Sequence, residues 1–197
     1  MSNRPQQIKA IIFDCFGVLV NDRWLPFRQK YFGNDLEKSA EAKSLRRQAD
    51  SGQITRQEFV RCIATLAGRD EEYVSAEIDS SLSKLTDQDI LAYIAELKPN
   101  YKIGFLSNAG WNLLSSLFTP EQVKLFDKVA ISCETGFVKP DHRAYTDIAS
   151  MLETPIEQCL LIDDQPTYCE GAREVGMQSI KYEGLENLKK DLKVILG

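Results

Sequence analysis

The sequence predicts a doubly wound parallel α/β sheet with a small all-helical unit inserted after the first strand. Three observations predict it. Short apolar runs recur along the chain, and three of them end in polar residues. Helical stretches punctuated by proline and glycine lie between them, the alternation that gives right-handed βαβ units. Residues 22–84 break this rhythm and contain no convincing strand.

Residues 8–13 (IKAIIF) are apolar and β-branched and end at Asp14, as a buried parallel strand does. Inside the insertion, residues 35–49 read as a helix with Leu36 and Leu45 among charged residues. The run 37–48 (EKSAEAKSLRRQ) reads as its solvated face. DSGQIT makes a turn. Thr55 then caps a helix, with Glu58 at capping-box spacing ahead of Phe59, Val60, Ile63 and Leu66, and Gly68 stops it. Residues 71–82 form a further helix.

The chain returns through a helix over 87–97, capped by Thr86 and stopping before Pro99. A strand over 101–106 (YKIGFL) ends at Ser107, and a helix over 111–118 stops before Pro120. A weaker strand covers 128–131, and a helix over 141–152 opens just after Pro140. The strand 159–162 (CLLI) ends at Asp163. The helix 166–175 has proline at an early position and Gly176 at its end, and 178–182 is the last strand. Residues 1–20 and 85–197 therefore make the α/β core, and 21–84 a helical cap over the carboxyl ends of the strands.

Composition limits the partners. The 197 residues are 43% hydrophobic and 27% charged, ordinary for a globular chain. Lys and Arg number 24 against 29 Asp and Glu, a net charge of -5, so no basic excess exists to hold nucleic acid or an anionic membrane. No window of about 20 apolar residues exists, and the first ten lack an apolar signal core. The five cysteines are odd in number and form no CxxC pair, which fits a reduced, cytoplasmic protein. One histidine, His142, excludes a multi-histidine metal centre and argues against a Ser-His-Asp mechanism. The sequence sets no oligomeric state.

In open parallel sheets, ligands bind outside the carboxyl ends of the strands. Asp14, Ser107 with Asn108, and Asp163 with Asp164 fall there, and Lys139 in GFVKPD sits in a loop before a helix. Close carboxylates need a cation to coexist, and Mg²⁺ is the natural choice for oxygen ligands. Lys139 and Ser107 supply the positive charge and hydroxyl that a phosphoryl group needs. An Asp carboxylate can itself attack phosphorus.

Four segments in register with these strand ends carry a family resemblance: FDCFGVL at 13–19, FLSNAG at 105–110, GFVKPD at 136–141 and LIDDQPTYCEGAREVGM at 161–177. The sequence resembles the haloacid dehalogenase-like hydrolases, in particular the C1-capped group with a paired-DD fourth motif. The resemblance implies that Asp14 is the nucleophile and a Mg²⁺ ligand, joined by the backbone carbonyl of Phe16, by Asp164 and by Asp163, directly or through water. It implies that Ser107 and Asn108 bind phosphoryl oxygens of a small phosphorylated substrate, such as a sugar phosphate, while Lys139 neutralises charge. Gly17 and Val18 belong to the tight turn of the first motif.

One departure stands out. The family's phosphatases carry a second Asp two residues after the nucleophile, which protonates the leaving oxygen and activates water; here that position is Phe16. Three readings follow: a phosphatase for a good leaving group, a 2-haloacid dehalogenase, or a catalytically weak protein binding a phosphorylated ligand or a protein partner. The paired acids favour metal-dependent phosphoryl chemistry.

Simpler roles compete at each position. Asp14 and Ser107-Asn108 can be turn residues, Asp163-Asp164 a helix cap, and Lys139 a solvated loop charge. His142 reads as a surface residue and Cys15 as packing, turned away from the site by strand alternation. Trp24 and Trp111 read as packing and Arg23 as solvated.

Overall fold

The computed structural model describes residues 7–79 and 86–197. Five parallel strands form one sheet in the order β3-β2-β1-β4-β5. They are β1 (Ala10–Phe13), β2 (Lys102–Ser107), β3 (Lys128–Ile131), β4 (Cys159–Asp163) and β5 (Gln178–Lys181). The central strand pairs Phe13 with Phe105 on one side and with Ile162 on the other. That register sets Asp14, the end of β2 and Asp163 side by side at one edge of the sheet.

Helices cover both faces, so the central strands β1 and β4 are buried along their whole length rather than on alternate residues. Ile11, Phe13, Ile103, Phe105, Leu160 and Ile162 face α5 (Gln88–Leu97) and α11 (Leu185–Leu196). Ala10, Ile12, Leu106 and Leu161 face α9 (His142–Met151) and α10 (Pro166–Glu174). All four residues of β1 are fully buried, and each larger one contributes about 1.5–3 kcal/mol by leaving water.

Between β1 and α5 lie α1 (Trp24–Phe32), α2 (Leu36–Asp50), α3 (Arg56–Ala67) and α4 (Glu71–Asp79). They enclose a separate apolar cluster around Phe27, Phe32, Phe59, Ile63 and Val74. The chain leaves and re-enters the sheet at one point: Val20 bridges Thr86, and Asp87 N donates to Leu19 O at 2.9 Å. The expected capping box is present, with Thr55 and Glu58 each accepting from the other's backbone, and Gly68 closes α3 in the left-handed region at φ 63°.

Several expectations need correction. Asp87, not Thr86, caps α5, because its carboxylate accepts from Asp89 N and Ile90 N; the Thr86 hydroxyl instead donates to Leu117 O. The helix expected over 111–118 shrinks to α6 (Leu114–Leu117), since Asn112 Oδ1 accepts from Leu114 N and starts it late. Part of the helix expected over 71–82 lies outside the described residues. Short helices α7 (Pro120–Val123) and α8 (Ser132–Thr135), together with α1 and α11, were not anticipated.

Candidate active site

Parallel strands aim their last residues at a common edge, and three of the expected side chains come together there. Lys139 Nζ donates to Asp14 Oδ1 at 2.7 Å, to Asp163 Oδ2 at 2.5 Å and to Leu106 O at 3.2 Å. Its side chain is 0% exposed, which excludes the solvated-loop reading. Asn108 holds it in place: the amide Nδ2 donates to Lys139 O at 3.0 Å, and Lys139 N donates to Asn108 Oδ1 at 2.8 Å. This mutual clamp joins the loop after β2 to the loop before α9.

Asp163 is fully buried, and its second oxygen accepts from Gln165 N at 2.9 Å. Both of its oxygens are thus engaged by the protein. Asp164 is different. Its Oδ2 accepts from Gln165 Nε2 at 2.6 Å, while Oδ1 is buried with no hydrogen-bond partner among the described residues. Gly17, at φ 94°, lies against this carboxylate; a Cβ there would come within 2.6 Å of Asp164 Cγ. Only glycine lets the first-motif turn approach the fourth-motif acid so closely. Ser107 Oγ is also buried without a nitrogen or oxygen partner among the described residues, beside the Cys15 thiol.

Three carboxylates face one ammonium. Burial pushes the Asp14 carboxyl up to about 7, Asp163 and Asp164 add to the rise, and Lys139 works against it. Burial opposes charge on Lys139, but the two carboxylates it touches outweigh burial and hold its pKa above the ordinary range. Asp164 is raised as well, chiefly by burial. One oxygen from each of Asp14, Asp163 and Asp164 lies within 4.8 Å of the others. A buried acceptor without a donor beside uncompensated negative charge is what a hard divalent cation satisfies, so the donor set fits Mg²⁺.

A cavity of about 260 Å³ opens above this cluster. Asp14, Asp164 and Tyr168 line its core side, and Trp24, Arg46 and Asp50 of α1 and α2 line the other. Phe16 also reaches it, so its ring forms part of the wall. Trp24 packs on Phe59 at 5.4 Å, as expected, but it faces the cavity too.

Sequence reasoning missed Arg46 and Asp50, which sit in or beside the run read as a solvated face. Arg46 is 16% and Asp50 10% exposed, and Arg46 Nε lies 2.9 Å from Asp50 Oδ1. The guanidinium carbon stands within about 6 Å of the rings of Phe16, Trp24 and Trp111. The i,i+4 spacing was visible, but not its direction. His142 is exposed and pairs with Glu174 at 2.8 Å, away from the site, Arg23 is exposed, and Cys15 is buried in the core.

The chain is similar to known proteins in sequence and in fold. The profile of haloacid dehalogenase-like hydrolases matches residues 8–176. The chain is 25% identical to flavin mononucleotide hydrolase 1 of Arabidopsis thaliana, over 96% of this chain and 78% of that one. It is 25% identical to acyl-CoA dehydrogenase family member 10 of Mus musculus, where it spans only 19% of that protein's length. A HAD-family enzyme of Bacteroides thetaiotaomicron, solved in complex with magnesium and inorganic phosphate, superposes with a TM-score of 0.72 at 23% identity. That match covers 92% of this chain and 98% of the other. No helix among the described residues is long and apolar enough to cross a membrane.

Proposed function

Because the chain belongs to the haloacid dehalogenase-like hydrolases, we propose that it is a Mg²⁺-dependent phosphatase of a small phosphomonoester. The observation that carries this reading is the charge imbalance at the strand ends, three converging carboxylates against the single ammonium of Lys139. Flavin mononucleotide, named for the Arabidopsis relative, is itself a phosphomonoester.

Asp14, the carbonyl of Phe16 and Asp164 would hold the ion, with Asp163 behind them on Lys139. Bound there, Mg²⁺ offsets carboxylate charge and draws charge off a phosphoryl group. Asp14 attacks phosphorus and forms an aspartyl-phosphate, which water then hydrolyses. Lys139 steadies the transferring charge from its fixed position. The Ser107 hydroxyl, which has no nitrogen or oxygen partner among the described residues, would donate to a phosphoryl oxygen, and Asn108 keeps Lys139 aligned. Helices α1–α4 serve as the cap that selects substrate and excludes water.

The test is turnover of sugar phosphates and an aryl phosphate with Mg²⁺. Activity that EDTA removes and that Asp14→Asn lacks is the expected result. Equal turnover by the variant, or indifference to EDTA, would overturn the mechanism. Phe16 supports a second reading, since halide needs no proton to leave. Metal-independent halide release from 2-haloacids would favour a dehalogenase.

A further inference from the structure

We infer that Asp50, carried on α2, is the proton donor and acceptor of this reaction and fills the role that Phe16 cannot. The inference rests on the phosphatase reading above. A phosphomonoester with a poor leaving group needs a proton on the departing oxygen, and the aspartyl-phosphate needs a base to activate water. A phenylalanine ring can do neither.

The side chains that line the cavity and can exchange a proton are few. Asp14 and Asp164 belong to the cation and the nucleophile. Asp22 accepts from Trp24 N at 2.8 Å and Leu25 N at 3.3 Å, so it caps α1. Burial raises the Tyr168 phenol, so it stays protonated and is a poor proton donor. Asp50 remains. It borders the same cavity as Asp14 and Asp164. It is also one of the few buried acids among the described residues.

Its position is fixed against the core. Ser132 Oγ donates to Asp50 O at 2.5 Å and accepts from Ala109 N at 3.0 Å, so the end of α2 is tied through Ser132 to Ala109, two residues beyond Ser107. A Cβ on Gly110 would meet Ala49 Cβ at 2.9 Å, so helix and loop pack in direct contact. Arg46 then fixes the carboxylate itself from one turn back, at 2.9 Å. That ion pair falls on Oδ1, an oxygen that is itself buried. Burial is the largest influence on its acidity and raises it, with Arg46 opposing, so the carboxyl can carry a proton at higher pH than an exposed Asp.

The steps balance. As Asp14 Oδ bonds to phosphorus and the ester P–O bond breaks, the Asp50 proton passes to the leaving oxygen. Asp50 is left as a carboxylate. It then takes a proton from water as that oxygen attacks phosphorus and the Asp14–phosphorus bond breaks. Phosphate leaves, and both acids return to their starting states.

Asp50→Asn tests this with two substrates, an alkyl phosphate and p-nitrophenyl phosphate, in Mg²⁺. The alkyl phosphate should lose about 100-fold or more in kcat/KM, while the aryl phosphate, whose leaving group needs no proton, should change little. The aryl substrate should then show a burst of nitrophenol, because only hydrolysis of the aspartyl-phosphate lacks its base. The substrate ratio is internal to one preparation, so partial misfolding cannot imitate it, and Asp50→Ala gives a second reading. Equal loss on both substrates with no burst, or no loss on either, overturns the role of Asp50 alone. A wild-type enzyme that turns over neither overturns the phosphatase reading with it.

Discussion

The two walls of the cavity are built on different principles. The sheet wall consists of side chains at the ends of hydrogen-bonded parallel strands, and its central cation is 0% exposed. The helical wall consists of long side chains on α1 and α2, with Trp24 and Arg46 only partly buried. The first wall has its atoms placed by backbone register before any ligand arrives. The second depends on how one helix seats against a loop. Fixed charge suits group transfer, whereas adjustable side chains suit the choice of substrate. Mutations should therefore separate the walls by the size and kind of damage.

The largest effect is expected at Lys139. Lys139→Ala strands two buried carboxylates without their partner, a loss of about 3–5 kcal/mol. Turnover should fall by about 10²–10³ as transition-state charge loses its counterpart. Urea unfolding checks the first number, and added Mg²⁺ should restore part of it because the ion opposes the same charge. A stability loss that Mg²⁺ leaves untouched would mean that the carboxylates do not share a cation.

Arg46→Met probes the other wall. It leaves Asp50 buried without its ion pair and removes the guanidinium from among three rings. The expected cost is about 2 kcal/mol in urea unfolding. Mg²⁺ should not restore it, because Arg46 lies on the helical wall and not among the carboxylates. Rescue by Mg²⁺ would erase the distinction between the walls.

The two walls were also unequally legible in the sequence. Asp14, Ser107 and Asp163 each end an apolar run, so a local pattern gave both the strand and the polar edge. Lys139 was marked by its motif, though only the fold shows that its ammonium is buried. Arg46 and Asp50 carry no such local mark. Their i,i+4 spacing is that of any solvated pair, and burial follows from α2 docking at Gly110 and Ser132, more than 50 residues away in the chain. The helix α11 is a different kind of miss. Leu185, Leu188, Leu192 and Leu196 recur at helical spacing, and this signal was present but unread. At α6 a local Asn112 turn outweighed apolar periodicity.

Ser132→Ala would loosen the joint itself. It leaves Ala109 N and Asp50 O, both held by one buried hydroxyl, without that partner. A cost of about 1–3 kcal/mol is expected in urea unfolding. Thermal unfolding at unchanged temperature would show that water replaces the hydroxyl and that the joint is not what seats α2.

The smallest effect is expected far from the joint. Thr55 starts α3, and its hydroxyl accepts from Glu58 N at 3.2 Å while Thr55 N donates to Glu58 Oε2 at 2.8 Å. Thr55→Ala removes one half of this reciprocal cap, for about 1 kcal/mol. In a chain of this size that lowers Tm by about 2–4 °C. Helix α3 buries Phe59 and Ile63 within the insertion, so fraying its first turn disturbs neither the carboxylate cluster nor the seat of Asp50. Turnover at 25 °C should therefore stay within about twofold of wild type. A large drop in activity from this exposed cap would mean that the insertion transmits strain from end to end, and that its wall of the cavity is as rigidly coupled as the sheet.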